Sequence, residues 1–195
     1  APMLAVPPEA SSPAPPAANR GPSITIPPAG RVGPANVPTG YPQTPEGAIA
    51  QLAAIDTAVL QGMSIERTHH VHDLWAAPGA PPTESWVLTG NVQAFLGTAA
   101  GQQAAHVSTT PVAAQVKGFD GPGWVVACVL FDVTARATTQ ARMAYAHCER
   151  MEWSDHDGGR WLIATGTPPS RAPSTWPGTA LARQAGWRTW TSVEE

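Results

Sequence analysis

The chain has 195 residues and a formal net charge of −3, and its eleven Lys and Arg residues, with Lys117 the single lysine, are scattered along it. Without a basic stripe to track a phosphate backbone, no direct nucleic-acid partner is expected. No apolar run approaches the roughly 18 residues that a spanning helix needs, and no charged start leads into a signal-type apolar stretch.

The first residue is Ala1 rather than Met. Together with the proline-rich lead, this reads as a processed or truncated product whose upstream signal or membrane anchor has been left out. Thirteen of the 22 prolines lie within the first 45 residues, whereas all eight tryptophans follow Leu74. A lead so poor in apolar bulk cannot repay its ordering entropy, and its prolines donate no ladder hydrogen bonds. Residues 1–40 are therefore expected to be an extended tether, with Ile24, Thr25 and Ile26 as a short strand or sticky patch within it. Residues 41–195 are expected to form one domain, since roughly 150 residues are enough to bury most of a core.

The domain opens on a helix. Thr44 is placed to cap it, Pro45 suits the first helical position, and Glu46 suits the positive end of the dipole. Ile49, Leu52, Ile55, Val59 and Leu60 follow at helical spacing, and Gly62 is expected to end the run. Ser64 opens a second helix through Trp75, and a third is expected from Thr83 and Glu84 toward Gln103. Strand-type segments come next: His106 to Gly118, Trp124 to Thr134, Arg142 to Trp153 and Trp161 to Thr165. A short helix from Pro177 to Gly186 closes the chain, with Trp187 and Trp190 folding back as a cover. Helices first and then an antiparallel meander predict an α+β domain in which a curved sheet wraps its own helices.

The central hairpin constrains its own register. Val125, Ala127, Val129, Phe131 and Val133 line one face of the first strand, and Met143, Tyr145, His147, Met151 and Trp153 line the matching face of the second. The faces match only if paired residue numbers sum to an even value, because a one-residue slip would bury Arg142 and Glu152. With a turn centred on Thr138, Cys128 and Cys148 lie directly opposite on the other face. They are then within reach of a disulfide, or are two reduced apolar fillers side by side.

Few groups carry the signs of chemistry. His69-His70-Val71-His72-Asp73 has helical spacing for a metal, but a second ligand pair is lacking and a solvated face is the expected reading; no metal and no cofactor are predicted. Asp155-His156-Asp157-Gly158-Gly159 lacks the alternating oxygens of a calcium loop and reads as a hairpin turn. Tyr145, His147 and Glu149 share the inward face of the hairpin, and with Asp56 of the first helix Tyr145 and His147 are the candidates for acid–base work if the fold houses an enzyme. Trp176, Trp187 and Trp190 lie in the less regular tail, either as a cover or as a partner-binding patch.

Gly33-Pro34, Gly40-Tyr41-Pro42, Thr44-Pro45-Glu46-Gly47-Ala48, Gly159-Arg160-Trp161 and Ala185-Gly186-Trp187-Arg188 resemble motifs of actinobacterial exported or membrane-anchored proteins encoded with conjugative elements. The extracytoplasmic part of those proteins is similar to the periplasmic core protein of type IV secretion systems. The resemblance implies a cone-shaped, nuclear-transport-factor-2-like fold and carries over no catalytic residue. The function it implies is a non-enzymatic scaffold outside the cytoplasmic membrane, joined to other envelope subunits or to copies of itself, and anchored through a segment before Ala1. A small-molecule enzyme or binder using the cone, of isomerase or hydrolase type, is the alternative, because one fold hosts both.

Overall fold

The computed structural model describes residues 3–19, 21–104 and 106–193. Within the proline-rich lead, β1 (Ser23–Ile26) is a true strand, and β2 (Arg31–Val32) and β3 (Pro38–Thr39) form a small antiparallel ladder. β1 alternates exposed and buried residues, sinking Ile24 and Ile26 into the core. The strand expected at residues 24–26 thus forms, and the lead around it lies along the domain. Two isoleucines flanked by prolines have enough apolar area to be worth burying once a strand edge is offered to them.

α1 (Pro45–Gly62) begins as anticipated, the Thr44 hydroxyl accepting from the Gly47 amide. Every residue from Gly47 to Asp56 is buried, although Ala50, Ala53 and Ala54 also line a groove. A Cβ at Gly47 would fall on the Pro42 carbonyl oxygen, so the chain entering the helix can pass only over glycine. Gly62 remains helical, and Met63 takes the left-handed cap at φ 40°. α2 (Ile65–Trp75) is capped by Ser64. The expected third helix divides into a single 3₁₀ turn at Thr83–Ser85, α3 (Val87–Leu96) and α4 (Ala99–Gln103). The division falls where Thr98 turns its hydroxyl to the Gly101 amide and so starts a new helix.

β4 (His106–Phe119), β5 (Trp124–Arg136), β6 (Gln140–Ser154) and β7 (Arg160–Ile163) make the antiparallel meander. Register shifts at Pro111/Ala113 and Val116/Gly118 of β4 bend the sheet. After α5 (Ala180–Gln184), β8 (Arg188–Ser192) pairs antiparallel with β4 and receives β1 alongside it in parallel. The order is β1-β8-β4-β5-β6-β7. This is an α+β fold with a curved, half-barrel-like sheet, mixed rather than purely antiparallel because of the β1–β8 pairing.

Both faces of the sheet are buried. α1 packs on β4 and β5, and the helix-side core contains Val125, Ala127, Val129, Phe131, Met151 and Trp161. On the opposite side a second core gathers Cys128, Leu130, Ala144 and Cys148 under Trp176, Trp187 and α5, with Met3 and Leu4 of the lead packed against it. The lead is hydrogen-bonded to that layer, Trp176 N donating to Ala10 O (2.6 Å) and Ala17 N to Gly178 O (2.8 Å). Proline-rich chain can cover a surface in this way because it is extended before it binds.

Candidate functional site

β5 and β6 pair with residue sums that are even throughout, with Phe131 facing Tyr145, Val129 facing His147 and Cys128 facing Cys148. The two cysteines are joined in a disulfide with Cα atoms 4.0 Å apart. Trp176 and Trp187 lie over it and are 8% and 4% exposed, the Trp187 indole donating to Pro173 O. These two tryptophans therefore act as cover, and a partner-binding role for them does not fit their burial. Trp190, half-buried on β8, is the tail tryptophan that reaches an open surface.

On the helix side, the same parity brings His147 and Glu149 inward to meet Asp56 of α1. The Nδ1 atom of His147 lies 3.1 and 2.9 Å from the two Asp56 carboxylate oxygens. Glu149 accepts from the Trp86 indole (3.0 Å) and from the Arg150 amide, while its Oε2 stays 3.7 Å from His147 Nε2. Asp56, His147 and Glu149 are all buried, at 0%, 2% and 5% exposure. Nε2 of His147 has no hydrogen-bond partner among the described residues.

Burial drives the pKa of Asp56 up, with His147 pulling the other way. For His147 burial alone would lower it, but the neighbouring Asp56 carboxylate prevails and holds the imidazolium above its ordinary range. Glu149 is raised by burial, its partners His147, Arg150 and Trp86 opposing the shift. Tyr145, half-buried beside them, accepts a hydrogen bond from Asn91 Nδ2 (2.8 Å), and burial raises its phenol.

Tyr145, His147 and Asp56 thus do come together, but the space they meet is small. Most of β6 before Met151 lacks a β7 partner, and there a narrow cleft of about 160 Å³ runs between β6, α3 and residues 169–174. Tyr145, His147 and Asn91 line it, whereas Asp56 and Glu149 do not. Phe131 and Met151 are fully buried, Trp153 packs edge-on against Trp161 at 5.5 Å, and Met143 is exposed, so the interior is filled by the first three without the fourth.

A different concavity lies outside α1. It is a groove of about 590 Å³ lined by Ala50, Ala53, Ala54, Thr57 and Ala58, with Tyr41, Pro111, Arg67 and Trp190 around it. Burial pushes the Tyr41 phenol up to about 12. No sequence pattern marks this groove, because small residues on a helix read equally well as close packing.

The histidine run stands beside a third depression formed with Pro78, Pro81 and Glu84, and burial lowers His72. Among the described residues, no group of three or more His, Cys, Asp or Glu is arranged to hold a metal ion. Asp155–Gly159 is the β6–β7 turn, with Asp157, Gly158 and Gly159 all at positive φ. No helix among the described residues is long and apolar enough to cross a membrane.

The architecture defines a class, an α+β domain with a filled interior, a buried acid–histidine cluster and an open groove on its first helix. No family model matches the chain, and neither a curated protein nor a solved structure does.

Proposed function

We propose that this chain is a non-enzymatic assembly domain of a cell-envelope complex, working outside the cytoplasmic membrane on a nuclear-transport-factor-2-like cone, as in conjugative type IV secretion. The observation that carries the reading is the placement of open volume: packed side chains occupy the interior, and a roomy groove with small residues at its base lies outside α1. Small side chains let a partner backbone approach closely, and the half-buried Trp190 supplies the aromatic surface on which interface affinity concentrates. The Cys128–Cys148 disulfide fits an oxidising compartment. Envelope subunits, or a second copy of this chain, are the partners proposed.

A photo-crosslinking residue at Thr57, on the groove, tests the reading in cells that express the neighbouring genes. Discrete adducts with an envelope subunit or with a second copy are expected, and Ala58→Glu should abolish them in a variant that still melts cooperatively. A protein that yields no adduct and remains monomeric would defeat it.

A second reading has its own observation: Asp56, 91 positions from His147, meets it and Tyr145 beside a cleft. It makes the cleft a small-molecule site, compatible with an assembly role elsewhere on the surface.

A further inference from the structure

The cleft beside β6 combines donors with too few acceptors to match them. His147 spends Nδ1 on Asp56, which leaves a buried Nε2 without a partner. A sealed polar atom of this kind costs free energy unless something in the cleft bonds to it. With the imidazolium held by Asp56, Nε2 carries a proton to donate. The Tyr145 oxygen accepts from Asn91, so its own proton is free for another acceptor.

Charge at the opening has the same sense. Arg171 is exposed on the cleft wall, close enough for its charge to act on the Tyr145 phenol. The wall also includes Val87, the first residue of α3, whose N-cap Trp86 supplies no side-chain hydrogen bond, so the positive end of that helix is left open. Neither acid lines the cleft: the Asp56 carboxylate is bound to His147 Nδ1, and that of Glu149 accepts from Trp86 and Arg150, its Oε2 lying 3.7 Å behind His147 Nε2.

Size restricts the occupant. About 160 Å³ matches roughly five waters at ~30 Å³ each. Pro169 and Ala172 add apolar wall. We propose that this cleft binds a small aliphatic monocarboxylate, its oxygens taking bonds from Tyr145 and His147 beside the Arg171 charge and its short carbon tail resting on Val87, Pro169 and Ala172. The inference rests on the small-molecule reading and is independent of assembly.

Titrating the isotopically labelled protein with sodium propionate and with propionamide, at fixed ionic strength, tests it by amide NMR. The amide copies the acid in shape but carries no charge. Saturable shifts at Asn91, Tyr145 and Ser170 are expected with propionate, and binding about tenfold weaker with propionamide. Arg171→Ala, an exposed change that leaves the melting temperature in place, should weaken propionate about tenfold. Equal affinity for acid and amide would overturn the carboxylate assignment while leaving a small-molecule site. Silence with both, in a titration reaching about 50 mM where a millimolar site fills, would remove the inference and the small-molecule reading together. Propionate binding unchanged in Arg171→Ala would overturn the placement of the charge.

Discussion

Reducing the Cys128–Cys148 bond provides a quantitative check on the fold, because its sequence separation is 20 and no atom need be removed to break it. Closing a loop of that size restricts the unfolded chain by about 11 cal/mol/K, or about 3 kcal/mol at 25 °C. In a chain of this length, that becomes a fall of roughly 6 to 12 °C in melting temperature. The folded state should otherwise be unaltered, since Cys128 and Cys148 are held opposite each other by the hairpin register as well as by the bond. Two melts decide the matter, one of native protein and one of protein unfolded and refolded in reductant. Native protein should resist reductant, because Cys128 is 0% and Cys148 6% exposed beneath Trp176 and Trp187. Coincident melts, or two thiols that alkylate without reductant, would refute the reasoning.

Trp187→Ala removes the lid over that bond together with the indole hydrogen bond to Pro173, and should cost about 3 to 5 kcal/mol in urea denaturation while making the disulfide quick to reduce. Gly47→Ala should cost about 1 to 3 kcal/mol, because the added methyl meets the Pro42 carbonyl; a variant stabilised by the better helix propensity of alanine would contradict that contact. The shifts of Asp56, Glu149 and His147 are all upward, so the native protein keeps protons that the unfolded chain releases. Their stabilisation is whole below the ordinary carboxylate range and declines as pH rises through the raised values of all three groups, with His72 opposing through its lowered value. Asp56→Asn removes one of these groups and the charge that raises His147, so its melting temperature should fall less steeply between about pH 5 and 8 than that of the wild type. Parallel profiles would refute this assignment.

The hairpin was legible because parity leaves few choices: Phe131, Val129 and Cys128 fix the inward and outward faces, and a slip would bury Arg142. The starts of α1 and α2 were legible because Thr44 and Ser64 act locally, each within three residues of the amide it binds. The same parity put Tyr145, His147 and Glu149 on one face. That Asp56 should meet His147, 91 positions away, depends on how α1 lies across the sheet, which no local pattern encodes. Asn91 and Arg171 carried no signal for the same reason. In the lead the strand at residues 24–26 was legible from its β-branched run, whereas its parallel partner β8, 166 positions away, was not. Proline content describes what a segment cannot donate, not whether it finds something to lie against.

Thr25 and Thr191 touch across 166 positions of sequence, and this pairing sets an order of events. A ribosome adds ~5 to 20 residues each second, so β1 waits many seconds for the strand that will hold it. The meander of neighbouring strands can organise during that interval, because its loops are short to close, whereas the rim of the sheet is sealed last. Until β8 arrives β1 has no strand to pair with, and a nascent chain stalled before Thr189 would leave that edge of backbone amides and carbonyls bare.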